Sequence, residues 1–313
     1  MGRVLALILG LVGLCAAVAA RAEPVALTFD DVPAMALDES APYAKVTTRR
    51  LLRGLRRRHM PAIGFVIGGQ LEGARAKPGR KVLLQWMDAG FELGNHSYSH
   101  ESLNKTPVED YIADVARNDA LLRPLMARRG QAPHWYRHPY LDTGATLDSK
   151  HAFETWLAAH GYRVAPVTME NSDWMFSPVY DDALRRHDKV RAEQVKRIYI
   201  DYTARVVAWY RQAGLQLLDR RPAYVFLLHA CRLNADALGD LAKILHDNDL
   251  HPVRLETAMK DPAYALSDDW ADPEGDEWLS RWSHTLGREL PWDTFPDPPS
   301  DIAAESERLD PST

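Results

Sequence analysis

The chain has 313 residues, 46% of them hydrophobic, with 38 basic and 43 acidic side chains for a formal charge of −5. That length buries one large core or two modest ones. The acidic balance argues against nucleic acid and anionic membrane surfaces as partners.

Residues 1–22 read as an export signal. Arg3 is the only charge before an apolar run from Val4 to Ala20, and Ala20-Arg21-Ala22 has the A-x-A form of a cleavage site. Cleavage after Ala22 implies an exported protein, periplasmic or extracellular, comprising residues 23–313. Losing Arg3 and Arg21 takes its charge from −5 to −7. Cys231 is then the only thiol, so no internal disulfide forms and the core must hold the fold together. No later apolar run is long enough to span a bilayer, so the mature chain is expected to have no transmembrane segment.

A buried strand is predicted at residues 25–29, followed by a Pro-containing loop and a helix over 45–59. That helix carries Val46, Leu51, Leu52 and Leu55 on its apolar side and six arginines around the remainder. Further strands are predicted at 62–66 and 91–95, with a helix at 80–89 between them. Thr106-Pro107-Val108-Glu109 has the form of a helix start, with Thr as cap, Pro in the first position and Glu three beyond. This helix should run to Met126. A strand at 134–137, a helix at 149–160 and a strand at 162–167 follow.

Residues 177–198 are charged and poorly periodic and read as a surface excursion. A helix over 195–213, a strand at 224–228, a helix over 234–247 and a last strand at 251–255 complete the alternation. Seven strands separated by helices imply a mainly parallel α/β core, closed as a barrel or left open. From Thr257 the composition turns rich in Trp, Asp and Pro, with Trp270, Trp278, Trp282 and Trp292. These rings should pack across the barrel; binding of sugar rings is the other reading. Residues 301–313 read as a frayed end.

Four predicted strands end in residues suited to one chemistry. The first ends in Thr28-Phe29-Asp30-Asp31. Adjacent side chains on an extended backbone diverge, so one Asp can hold a metal while its neighbour faces an attacking water. His96 and His100 follow the third strand in a turn, and neutral imidazoles suit a borderline ion such as zinc. The others end in Arg137-His138-Pro139-Tyr140 and in Leu227-Leu228-His229. Groups at the C-terminal ends of parallel barrel strands meet despite their separation in sequence. His138 reads as an exposed loop histidine and Cys231 as structural.

These motifs, in this order, resemble the polysaccharide deacetylases that share the NodB homology domain, carbohydrate esterase family four. Thr28-Phe29-Asp30-Asp31 and His96-Ser97-Tyr98-Ser99-His100 match its first two motifs. Arg137-His138-Pro139-Tyr140, Asp173-Trp174 and Leu227-Leu228-His229 are similar to the remainder. The resemblance spans roughly residues 25–256 and implies an incomplete or distorted (β/α) barrel of about seven parallel strands. Residues 23–256 would form the catalytic domain and 257–313 a C-terminal extension.

The resemblance implies that Asp31, His96 and His100 hold a divalent ion, usually zinc, although cobalt, nickel or manganese suit the same donors. It makes Asp30 the general base, held by Arg137, and His229 the general acid. Asp173 would pair with Arg137 or His229, and the backbone N–H of Tyr140 would face the oxyanion. Trp174 and Leu227 would line an acetyl pocket. The implied reaction is hydrolysis of the N-acetyl group of a chitin-like or peptidoglycan glycan. An O-acetyl ester or another small amide as substrate, and a non-catalytic carbohydrate-binding protein, are the alternatives. The chain departs from the family pattern where His138 replaces a Pro and Leu141 a Gly, with Gly returning only at Gly144. The setting Glu170-Asn171-Ser172-Asp173-Trp174 leaves open which acid fills the fourth-motif role.

Overall fold

The computed structural model describes residues 22–37, 40–271 and 273–309. The export signal read at 1–22 lies outside them apart from its last position. In chain order the elements are β1 (Glu23–Val32), α1 (Ala41–Arg57), β2 (Ala62–Val66), α2 (Ala76–Asp88), β3 (Glu92–Asn95) and α3 (Val108–Ala127). Then come β4 (Trp135–Tyr136), α4 (Leu147–Ala159), β5 (Arg163–Val164), α5 (Asp173–Arg185), α6 (Lys189–Leu218) and β6 (Tyr224–His229). The chain continues through α7 (Arg232–Asp247), β7 (Leu250–Val253), α8 (Leu255–Ala258), α9 (Trp278–Leu286) and α10 (Ser300–Leu309).

All strand pairings among the described residues are parallel, in the order β5-β4-β3-β2-β1-β6. Val25 pairs with Tyr224 of β6 and also with Pro252 of β7, so β7 lies on the β2 side of β1, at its start. The sheet curls until its two ends meet at a single bridge. Beyond β5, Met169 pairs with Phe226, through the Thr168 N–H to Val225 O at 3.0 Å and the Leu227 N–H to Met169 O at 2.9 Å. The result is the expected incomplete barrel, an open curled parallel sheet rather than a closed ladder.

Period-two alternation sorts β1 between two cores. Ala26 joins Ile63, Phe65, Trp135, Ala165 and Val225 inside the curl. Val25, Leu27 and Phe29 face outward into the helical layer, against residues such as Leu51, Leu83 and Trp86. Continued two residues at a time from Ala26, the inward face presents Thr28 and then Asp30. The strand's own alternation therefore delivers Asp30 to the mouth of the curl.

Several expectations need correction. Residues 177–198 are no surface excursion: α5 buries Phe176, Val179, Tyr180 and Ala183, and α6 begins already at Lys189. The charges that disguised α5 are buried but paired. Asp181 accepts from the Tyr43 hydroxyl at 2.8 Å, and Asp182 pairs with Arg185 at 2.6 Å and Arg186 at 2.8 Å. Nor do residues 301–309 fray, since α10 packs on α5 with Ile302 fully buried and Glu305 bonded to Arg191 at 2.5 Å.

Helix α1 starts at Ala41 rather than 45 because the Ser40 side chain caps it, accepting from the Tyr43 N–H at 3.4 Å. In α3 the cap residue is Pro107, and no side-chain cap bond forms there, so the expected Thr106 box is absent. The strands predicted at 134–137, 162–167 and 251–255 shorten to two, two and four residues. Trp278 and Trp282 pack as expected, whereas Trp292 stays 45% exposed. Among the described residues no helix is long and apolar enough to cross a membrane.

Candidate metal centre and active-site cavity

The strand ends converge on one cavity of about 730 Å³. Its lining includes Asp30, Asp31, His96, His100, Tyr140, Trp174, Leu227 and His229. Arg137 and Asp173 lie behind this wall, 0% and 1% exposed.

Asp30 and Asp31 separate for a reason other than the expected extended backbone. The register of β1 against β2 shifts between Phe29 and Val32, and Asp31 sits in the left-handed region at φ 61°. The kink turns Asp31 toward the histidines. The loop behind β3 is tied equally firmly. The His96 N–H bonds Val66 O at 3.0 Å, Asn95 Oδ1 accepts from the Ser97 N–H at 2.9 Å, and Asp114 Oδ2 accepts from the Tyr98 and Ser99 N–H groups. Ser97 and His100 both take positive φ, which folds the second imidazole back over the first. The two ring centroids lie 4.9 Å apart.

Asp31, His96 and His100 form a divalent-metal-binding site, their donor atoms all within 4.8 Å of one another. The donors fit the ion in three ways. Asp31 Oδ1 lies 3.5 Å from each Nε2, close to the roughly 3.3 Å edge of a tetrahedron with bonds of about 2.0–2.1 Å. Asp31 Oδ1 is also buried without a hydrogen-bond partner among the described residues. Finally, His96 Nδ1 lies 2.8 Å from Arg137 O; a carbonyl only accepts, so Nδ1 carries the proton and the Nε2 lone pair faces Asp31.

The charges are poised for this. Burial pushes the Asp31 pKa up, but His100, His96 and His229 outweigh it and hold the carboxyl well below its usual range. Burial lowers His100 to about 4, against the pull of Asp31, so its ring is a neutral ligand at neutral pH.

Asp30 is 2% exposed and 3.8 Å from His96 Nε2. Arg137 Nη1 approaches its Oδ2 at 3.4 Å, while Nη2 donates to Thr28 Oγ1 at 3.0 Å. Thr28 in turn donates to Phe226 O at 2.9 Å. Thr28 thus anchors the guanidinium that faces Asp30, a role that its place in the first motif did not reveal.

Asp173 pairs with His229, not with Arg137. Its Oδ1 accepts from His229 Nδ1 at 2.6 Å and its Oδ2 from the His229 N–H at 2.7 Å. Asn234 donates both to Asp173 and to His229 O, the latter at 2.9 Å. Burial alone would lower the His229 pKa. The Asp173 charge and hydrogen bond, helped by Asp31 and Asp30, instead raise it to about 10. Glu170 lines the cavity separately and accepts from the Ser172 N–H at 2.8 Å.

His138 is buried, not exposed: it is 2% accessible, with Tyr136 and Phe153 rings at 5.1 and 5.4 Å. Its place among these rings keeps it neutral, since burial and the nearby Lys150 and Arg281 charges lower its pKa. The following turn carries two consecutive non-glycine residues in the left-handed region, Tyr140 at φ 57° and Leu141 at φ 59°. Such positions cost on the order of 1–3 kcal/mol each and concentrate at functional sites. Tyr140 leaves its ring 56% exposed, 4.7 Å from that of His100.

The extension builds part of the wall, of which the sequence had singled out only Trp292, as one of four rings expected to pack or to bind sugar. Gly275, Asp276, Glu277, Trp292 and Phe295 all line the cavity. No motif could have announced them.

Residues 17–164 match the family described as polysaccharide deacetylase. This stretch, just under half of the chain, is similar to that family. The peptidoglycan-N-acetylglucosamine deacetylase of Bacillus cereus is 27% identical over 150 residues, which cover 48% of this chain and 46% of the relative. The chain thus spans about half the length of the curated relative it matches. Among solved structures, a T48 deacetylase with substrate superposes with a TM-score of 0.50 at 23% identity, over 76% of this chain and 92% of the other. The chitin deacetylase of the fungal pathogen Colletotrichum lindemuthianum gives 0.50 at 19% identity, over 76% and 88%. At these identities the structures show a shared fold.

Proposed function

We propose that the protein is an exported, metal-dependent deacetylase that hydrolyses the N-acetyl group of an N-acetylated glycan. One observation carries the reading: a metal-binding triad, an arginine-held carboxylate and a carboxylate-held imidazole all border the same cavity. The deacetylase family match supports the same reaction class. Zinc suits the donor set best, two imidazoles and a carboxylate, which also accept cobalt, nickel or manganese.

The ion, when bound, lowers the pKa of a water and draws off negative charge from a carbonyl oxygen. The residues around it do the rest. Asp30 is the base that takes the proton of the attacking water, and Arg137 keeps that carboxylate aimed. The turn at Tyr140 supplies a backbone N–H to the oxyanion. His229 gives its proton to the departing amine nitrogen, which leaves badly as an anion. Asp173 holds the proton on Nδ1 of His229, so Nε2 is the donor toward the cavity. Trp174 and Leu227 enclose the methyl group. The acid and base are separate residues, so no covalent intermediate is needed.

Acetate release by the zinc-loaded protein is the test, with chitin oligomers, peptidoglycan, acetylated xylan and free N-acetylglucosamine, and Asp30→Ala as the blank. Release from N-acetylated members that the blank lacks supports the proposal. Release from acetylated xylan alone reassigns the protein as an O-acetyl esterase. No release from any, with the metal bound, refutes the glycan reading.

A further inference from the structure

Of the four tryptophans in the extension, two serve packing: Trp278 and Trp282 are 8% and 1% exposed. Trp292 does not. It is 45% exposed and lines the cavity that holds the metal site. Its indole stacks on Trp209 at 4.9 Å with an interplanar angle of 29°, and Phe295 braces both rings. Trp209 is itself clamped, its indole N–H lying 3.2 Å from Pro291 O and 3.1 Å from Thr294 Oγ1, on either side of Trp292. One face of Trp292 is therefore covered by a rigid neighbour, which leaves the other as the exposed one.

The extension is also fixed against the site. The Trp278 N–H bonds Val167 O at 2.6 Å at the closing edge of the curl. Gly275 lies so close to the Tyr140 carbonyl that an added Cβ would come within 2.0 Å of it. Asp268 bridges the buried Lys150 of α4 at 2.8 Å and Arg281 of α9 at 2.7 Å. A wall anchored at three points holds its aromatic face in a set position relative to the metal ligands.

A flat, rigid, exposed indole in a cavity that also presents carboxylates and imidazoles is matched by a ligand with a flat apolar face and a hydroxylated rim. The C–H face of a pyranose has that shape. An acetyl group alone needs only the small pocket of Trp174 and Leu227, so an aromatic face elsewhere in a cavity of about 730 Å³ serves another part of the substrate. Resting on the glycan reading above, we propose that Trp292 is the platform of a second sugar subsite, stacking under a pyranose that is not the reacting one. The protein then acts on oligomeric or polymeric glycan in preference to single sugars.

The test uses the full chain carrying Asp30→Asn, which slows turnover enough for a binding titration, loaded with zinc and titrated with the β-1,4-linked N-acetylglucosamine tetramer. Adding Trp292→Leu should weaken binding roughly five- to tenfold, the size of an aromatic stacking contact together with its burial. Trp292→Phe should lose less than the Leu variant. The tetramer should quench tryptophan emission in the Asp30→Asn protein and much less in its Trp292→Phe version. That comparison stands even if the Leu variant fails to fold once Trp209 loses its cover. Equal affinity with Trp and Leu, or equal quenching with Trp and Phe, overturns the platform. If the tetramer does not bind with Trp292 intact and metal present, the glycan reading itself falls, and the subsite with it.

Discussion

Replacing Asp173 by Asn tests whether the charge of one buried carboxylate sets the state of the proposed acid. The substitution keeps the shape and the acceptor for the His229 N–H but removes the negative charge 2.6 Å from Nδ1. In the intact protein that charge and its hydrogen bond are the largest influences raising His229 to about 10, against burial that lowers it. Without them the ring should titrate at or below its ordinary 6.5, a fall of more than three pH units. That corresponds to about 5 kcal/mol of differential interaction between the protonated and neutral ring. The His229 side chain is 14% exposed, so solvent screens little of it.

Because the folded pKa is raised, this contribution to stability is full below about pH 6.5 and vanishes as pH rises through 10. The assay is NMR titration of the imidazole in the metal-free protein, with urea unfolding at pH 6 as a second measure. The variant should be destabilised at pH 6 and should lose about 10²–10³-fold in kcat when loaded with metal. If the variant's His229 titrates within one pH unit of the parent's, the charge assignment is wrong.

Asp30→Asn should cost roughly 10²–10⁴-fold in kcat while leaving zinc stoichiometry at one, since Asp30 is outside the ligand triad; loss of the metal would contradict this division of labour. Asp31→Ala or chelation should abolish both metal binding and hydrolysis, and readdition of zinc should rescue only the chelated protein. Burial holds His100 at about 4, so metal affinity should depend on its protonation only as pH falls toward 4, and a break in competition assays near 6.5 would place that ring in water instead. Arg137→Met removes the partner of a buried carboxylate and should destabilise the fold by about 3–5 kcal/mol; a variant as stable as the parent would show that Asp30 is satisfied without it.

Much of the site was legible because its residues stand at strand ends, where a short apolar run stops and a polar cluster begins. The run before Asp30 and those before His96 and His229 each carry that signature. What misled were buried polar groups. Asp181 and Asp182 made α5 look like a solvated surface, yet each lies in the core with its partners supplied by α1 or the following turn. His138 looked exposed for the same reason, since the sequence around it does not reveal the Tyr136 and Phe153 rings that enclose it. A charge in sequence has no burial until a partner distant in the chain is placed beside it.

The sequence by itself determined most of the alternation of strands and helices and the order of the motifs, because these are local: a run of apolar side chains, then donors at a strand end. That Asp31 rather than Asp30 joins the two histidines was implied by the family resemblance. Only the tertiary structure decided that Asp173 serves His229 and not Arg137, and that a left-handed kink, rather than extended geometry, aims Asp31. It alone brought the extension round to complete the wall. Those outcomes depend on which surfaces meet when the sheet curls, and contacts between residues such as Trp209 and Trp292 leave no periodic mark in either segment.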